Sequence, residues 1–100
     1  MIRQGDVCLI EVSAIPKGAK PAKRDGGRLV LAYGEVTGHS HVIDAPVERA
    51  TLLTTVDNER FLRIVGSMAA LLVHEEHAKI EVAPGDYRVV MGPPLGGPRA

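Results

Sequence analysis

The hydrophobic pattern of the chain consists of short apolar runs separated by turn-forming residues. Gly, Pro, Asp and Asn lie between the runs, at intervals typical of small antiparallel domains. The runs are rich in β-branched and aliphatic side chains, which favour strands. They cover residues 7–12, 29–36, 41–43, 49–56, 59–65, 79–82 and 87–91. The pattern predicts an all-β fold, a small single-domain β-barrel or sandwich of about seven short strands.

Two of the connections have the sequence of tight turns. Asp57 and Asn58 separate two apolar runs and suit a two-residue hairpin turn. Residues 83–86, Ala-Pro-Gly-Asp, place Pro where φ is near −65° and Gly where φ is positive. These connections support the prediction of short strands.

The sequence of residues 68–77 is compatible with either a strand or a helix. Their Met, Ala and Leu residues are good helix formers, and Ser67 is a possible N-cap. The alternation of Ile80, Glu81 and Val82 that follows is typical of a strand. The pattern favours a strand, with a short helix as the alternative.

The domain is predicted to cover residues 1–91, with two segments that lack large apolar side chains. Residues 16–27 include Lys17, Lys20, Lys23 and Arg24 and almost nothing larger than alanine to bury, which predicts a long mobile loop. Residues 92–100 are rich in Pro and Gly and predict a flexible tail. The loop is a candidate contact for a protein partner.

Composition argues against nucleic acid as a partner. The 100 residues have a formal net charge of zero, and only 3% of them are aromatic. Duplex binders need clustered cations, and single-strand binders need aromatic stacking platforms. We therefore expect no nucleic-acid binding.

Membrane association and secretion are not expected either. The longest apolar run, residues 68–73, is far too short to cross a bilayer, and the first residues do not resemble a signal peptide. The single cysteine, Cys8, cannot form an internal disulfide and fits a reducing compartment. Its alternation with Ile10 and Val12 predicts a core position. We expect a cytoplasmic protein.

All four histidines fall in two short clusters, which are the strongest chemical signal in the sequence. His39 and His41 flank Ser40 and would share one face of a strand, and His74 and His77 enclose Glu75 and Glu76. Imidazole is a common ligand of divalent metals. The clusters predict one site for a divalent metal, zinc first, with His39, His41, His74 and His77 as ligands.

The two glutamates between the later histidines extend this hypothesis. With four bound histidines the metal would be structural; with three and a water it would suit hydrolysis, with Glu75 or Glu76 as the catalytic base. Either carboxylate could instead be a further ligand or hold an imidazole in place. The alternatives are solvated loop histidines and a proton-linked switch at an interface. Whether the protein is an enzyme stays open.

Residues 34–41, Gly-Glu-Val-Thr-Gly-His-Ser-His, resemble the first motif of the cupins. In that motif a glycine is followed by His-x-His and then by a glutamate ligand; here the next glutamate is Glu48. The resemblance implies a metal-binding barrel in which His39 and His41 are ligands. It also implies that His74 or His77 stands in for the histidine of the second cupin motif.

The first forty residues are similar to a co-chaperonin ring subunit. The shared order is an opening strand at residues 5–12, a long loop, a glycine-led strand at residues 26–31 and the segment 34–36. This resemblance implies a small barrel with a loop arm. It supports the alternative function, a non-enzymatic homo-oligomeric interaction module with surface or interface histidines.

Overall fold

Two antiparallel sheets form the domain in the computed structural model, which describes residues 1–33 and 39–92. These residues contain ten strands and no helix. The bounds of the first five are β1 (Ile2–Gln4), β2 (Val7–Glu11), β3 (Lys20–Pro21), β4 (Leu29–Tyr33) and β5 (Ser40–Asp44). The other five are β6 (Ala50–Thr54), β7 (Arg60–Ile64), β8 (Ala70–Val73), β9 (Ile80–Val82) and β10 (Gly85–Met91).

The chain crosses between the sheets several times. The larger sheet has the order β1-β2-β10-β7-β6-β3, and the smaller one has the order β4-β5-β8-β9. The turn at residues 83–86 leads from β9 in the small sheet to β10 in the large sheet. It is held by the Tyr87 hydroxyl, which donates to the Ala83 carbonyl at 2.6 Å. The sheets are not closed into a barrel, so the fold is a sandwich.

The core lies between the two sheets and is built from alternate residues of their strands. From the large sheet, Leu9 and Leu62 are 0% exposed; from the small sheet, Leu31 and Leu72 are 0% exposed. Their burial supplies the main favourable free energy of folding. Cys8 is also buried, but the residues of β2 in the core cluster are its neighbours Val7 and Leu9, whose side chains alternate with that of Cys8. The all-β expectation is confirmed, in its sandwich form.

Three local expectations change in detail. The structure has ten short strands where about seven were expected: β1 and β3 are too short to leave a hydrophobic pattern, and β8 lies in the segment whose secondary structure was left open. The connection at Asp57 and Asn58 is longer than a two-residue turn. The Thr55 N–H donates to the Glu59 carbonyl, the Asn58 N–H donates to the Thr55 carbonyl, and Asn58 has φ 65°. Residues 70–73 form a strand, so the helix alternative is wrong.

The segments predicted to be mobile are partly tied to the sheets. Within residues 16–27, β3 pairs with β6, and the Ala22 amide donates to the Leu52 carbonyl at 2.8 Å. Gly92 donates to the Asp6 carbonyl at 2.9 Å. The remaining tail, residues 93–100, and the cupin-like residues 34–38 lie outside the described residues. The mobility of residues 16–27 stays a prediction.

None of the described residues forms a helix of the length and apolar character that a membrane span requires.

Candidate metal centre

Antiparallel pairing of β5 with β8 brings the two histidine clusters together. Val42 lies opposite Val73 and Ile43 opposite Leu72. Continued by one residue, this register sets His41 beside His74; continued further, it sets Ser40 beside Glu75. The later cluster is neither helix nor strand, since it occupies the connection between β8 and β9. The site therefore lies at one end of the small sheet.

The four imidazole rings form one contiguous group. The ring centroids of His41 and His74 are 4.3 Å apart, and those of His74 and His77 are 4.6 Å apart. His39 lies 5.8 Å from His74, and His41 lies 5.8 Å from His77. The structure thus brings together all four histidines singled out in the sequence.

Gln4 is the buried residue that orients this group. Its side-chain amide donates to the Leu72 carbonyl at 3.0 Å and to the Ala78 carbonyl at 2.9 Å. Both donors are used, so its Oε1 faces Nδ1 of His41 at 2.9 Å and accepts from it. A neutral His41 therefore has its proton on Nδ1 and a lone pair on Nε2. Gln4 fixes a tautomer and ties down both ends of the β8–β9 connection.

The turn between β1 and β2 packs against the histidines. Gln4 pairs with Val7, so Gly5 and Asp6 form a two-residue hairpin turn, and Gly5 has φ +57°. A Cβ at Gly5 would lie 2.8 Å from Nε2 of His77 and 3.2 Å from Cε1 of His41. Glycine adopts this backbone conformation without strain and leaves these rings in place, whereas any other residue would crowd them.

Burial and neighbouring charge act on His41 in a definite direction. His41 is 5% exposed, and this burial lowers the pKa of its imidazole below 6.5, with further lowering by His74 and His77. Asp6 and Glu75 act in the opposite direction, more weakly. The neutral ring, which is the form that binds metals, is favoured.

The two glutamates have different contacts. Glu75 Oε1 accepts from the Ser40 backbone N–H at 2.9 Å, and this bond, with a second from its own backbone, lowers the pKa of Glu75. Glu76 Oε2 lies 3.5 Å from Nδ1 of His39. Glu75 is thus held as a carboxylate beside β5, while Glu76 stays an exposed neighbour of His39.

Three side chains are close enough to share one ion. Single ligand atoms of His39, His74 and Glu75 all lie within 4.8 Å of one another. Atoms that share a tetrahedral zinc ion lie about 3.4 Å apart, given bonds of about 2.0–2.1 Å. Small side-chain rotations would close that difference. His41 and His77 are not part of this group of three.

Gln4 and Gly5 were not predicted as part of the site. A buried glutamine leaves no hydrophobic signal, but the hairpin had one: Gly-Asp between Gln4 and Val7 is a two-residue turn sequence with Gly at its first position. The approach of this turn to the histidines depends on contact between the two sheets, which local sequence does not indicate.

Comparison with known proteins gives a family but no activity. A family model described as a domain of unknown function, DUF8820, matches residues 3–92. The chain belongs to the DUF8820 family. Searches of the curated proteins and of the solved structures found no match. The match to this DUF8820 domain covers Gln4, Gly5 and all four histidines.

One hydrogen bond in this DUF8820 domain occupies a ring nitrogen of the histidine group. Nδ1 of His74 accepts from the Glu76 backbone N–H at 3.0 Å, so a neutral His74 has its proton on Nε2. An ion bound through Nδ1 has to displace that N–H. Metal binding through this atom would therefore move the Glu76 backbone, a change that amide signals report.

Proposed function

We propose that the protein binds a divalent metal ion at the histidine end of the sandwich, with His39, His74 and Glu75 as its ligands. The supporting observation is the convergence of their three ligand atoms within 4.8 Å. Two imidazoles and one carboxylate suit zinc and also ferrous iron. Zinc is the first candidate.

A shell of three protein ligands leaves a coordination position for water or substrate. That arrangement is typical of catalytic metal sites, whereas structural zinc sites have four protein ligands. In this proposal Glu75 is a ligand, and the exposed carboxylate of Glu76 beside His39 is the candidate general base for hydrolysis.

In this proposal His41 is not a ligand but packs against the ligand His74. Its ring packs 4.3 Å from that of His74 and is fixed by Gln4. A shell of the four histidines alone, as their clustering in the sequence suggests, is the competing arrangement. In that arrangement His41 and His77, which lie outside the group of three, would be ligands, and Glu75 would stay unbound.

Zinc titration of single variants tests the proposal and separates the two shells. We expect His74→Ala and Glu75→Gln to lower zinc affinity by more than the about 10- to 100-fold loss typical of outer-shell partners. His77→Ala should change it far less. Glu81→Gln, an exposed glutamate on β9, is the matched control for Glu75→Gln. The measurement is competition with a chromophoric chelator, with zinc and iron content measured in the purified protein.

Each outcome of the titration is informative. A large loss in His77→Ala with none in Glu75→Gln would replace the three-ligand shell by the four-histidine shell. Zinc affinity unchanged in His74→Ala would refute both, because both include that ring.

The second candidate function is a homo-oligomeric interaction module, with residues 16–27 as a contact for a protein partner. Among the described residues, each sheet ends in edge strands that pair on one side only: β1 and β3, and β4 and β9. Such edges are commonly covered by assembly. A defined oligomer by light scattering, in protein that binds no metal, would favour this function. A cytoplasmic location, proposed from the free Cys8 thiol, suits both candidates.

A further inference from the structure

A pocket adjoins the candidate metal centre on the small sheet. Its volume is about 360 Å³, and its lining residues are Arg28, Ser40, Val42, Val73, His74 and Glu75. This volume lies at the lower end of the range of about 300–1,000 Å³ seen for small-molecule sites. Two of the three proposed metal ligands, His74 and Glu75, therefore face the same space as Arg28.

Arg28 is held at the pocket by its backbone and by one side-chain bond. Asp25 and Arg28 exchange two backbone hydrogen bonds, of 2.8 and 3.0 Å, across the turn at Gly26 and Gly27. The Arg28 Nη2 donates to Ser40 Oγ at 2.7 Å. Within residues 1–33 and 39–92, no carboxylate lies at salt-bridge distance from Arg28. Its planar group keeps further donors that match a carboxylate.

The rest of the pocket complements a short hydrocarbon chain. Val42 and Val73 are cross-strand partners with half-buried side chains, and they form an apolar wall. Ser40 lies between the two polar ends, since its Oγ accepts from Arg28 and its backbone N–H donates to Glu75. A ligand with one anionic end could thus pair with Arg28 while its other end reaches the metal side.

Charge favours an anion here only if the metal is present. Glu75 lines the same pocket and by itself repels a carboxylate. A divalent ion bound to Glu75 would reverse the local charge and remove that repulsion. We propose that this pocket is the ligand site of the metal centre and takes a small aliphatic carboxylate, with its anionic group on Arg28 and its chain on Val42 and Val73. This inference rests on the proposed function.

Methyl NMR of Val42 and Val73 in the zinc-loaded protein tests the pocket. The probe is isobutyrate, and isobutyramide, which has the same shape without the charge, is its control. We expect saturable shifts of both valines with isobutyrate and none with isobutyramide. Arg28→Gln should weaken isobutyrate binding about 10- to 100-fold, as expected for loss of a charged hydrogen-bonded pair. Arg63 is an exposed arginine on the other sheet, so Arg63→Gln should bind isobutyrate like the wild type.

Equal shifts with isobutyramide, or equal affinity in Arg28→Gln, would overturn the carboxylate assignment. Zinc titration of the same samples separates this failure from failure of the proposed function. Arg28→Gln should bind zinc like the wild type, because Arg28 is not a ligand. If the wild type binds no zinc, the metal centre is refuted and with it the claim that the pocket serves it. Repeating the isobutyrate titration in the presence of chelator then shows whether Arg28 binds the anion without a metal.

Discussion

The apolar core and the histidine end are adjacent regions of one sandwich, and the same pair of strands contributes to both. Ile43 and Leu72 are cross-strand partners on β5 and β8, and both are almost completely buried. Beyond them toward the end of the sheet lie His41 and His74, whose ring centroids are 4.3 Å apart. Aliphatic packing depends on filled volume, whereas the histidine end depends on directed hydrogen bonds. We expect the first region to determine stability and the second to determine binding.

The largest loss of stability should come from the core. Leu62 on β7 is 0% exposed, so Leu62→Ala removes buried methyl groups and leaves a cavity. We expect a decrease in the free energy of unfolding of about 2–5 kcal/mol, measured by urea denaturation. Val56→Ala, at a residue 94% exposed in a turn, should change it by less than about 0.5 kcal/mol. A small effect at Leu62 would show that the core has less influence on stability than its burial indicates.

Replacement of Gln4 tests whether hydrogen bonds organise the histidine end. Gln4→Leu leaves the Leu72 and Ala78 carbonyls without their donor, and we expect a loss of about 1–3 kcal/mol in urea denaturation. Zinc affinity should also fall, because the connection that contains His74 and Glu75 loses its anchor. Gln4→Glu keeps an oxygen acceptor for Nδ1 of His41. Nitrogen NMR should then report the Nδ1–H tautomer of His41 in Gln4→Glu but not in Gln4→Leu.

Two glycines with the same backbone angle allow a smaller and sharper test. Gly5 has φ +57° and Gly26 has φ +59°, but only a Cβ at Gly5 would meet other atoms, those of His77 and His41. Alanine at either position costs about 1–3 kcal/mol of backbone strain. We expect the loss in free energy of unfolding to be larger in Gly5→Ala than in Gly26→Ala by at most about 1 kcal/mol, because the exposed His77 can turn away. Ring signals of His77 should shift in Gly5→Ala alone; equal spectra would contradict the contact.

The fold class was predictable because strands of five residues leave a local pattern of apolar side chains. The chain from Leu29 to Thr54 shows this, since its runs became β4, β5 and β6. β1 was not predictable in this way: it has three residues, one of them Arg3, and its buried Gln4 is polar. Strands this short are defined by their partners, and sequence patterns describe only the strand itself.

The histidines of the candidate site could be found from sequence, but their arrangement could not. His39 and His74 are distant in the chain, and their contact follows from the β5–β8 pairing, which is not adjacent in sequence. From sequence, Glu75 was a candidate catalytic base and, as an alternative, a further ligand; the structure places ligand atoms of Glu75, His39 and His74 within 4.8 Å of one another, which favours the second role. Gln4 and Gly5 belong to the other sheet, so their role depends on how the sheets stack.

The smallest expected effect distinguishes the two regions by pH. Burial, followed by His74 and His77, lowers the pKa of His41 below 6.5. As the pH falls, His41 is therefore protonated in the unfolded chain before it is protonated in the folded protein. The contribution of neutral His41 to stability is intact above pH 6.5. It decreases as the pH falls from 6.5 to the lower folded-state pKa, below which the loss is complete. Urea denaturation in the presence of chelator should show a smaller acid-induced loss in His41→Gln than in the wild type. The ring signals of His41 should titrate with a midpoint below 6.5. A midpoint at or above 6.5 would contradict a lowered pKa, and the pH dependence would then give no contrast between the histidine end and the core.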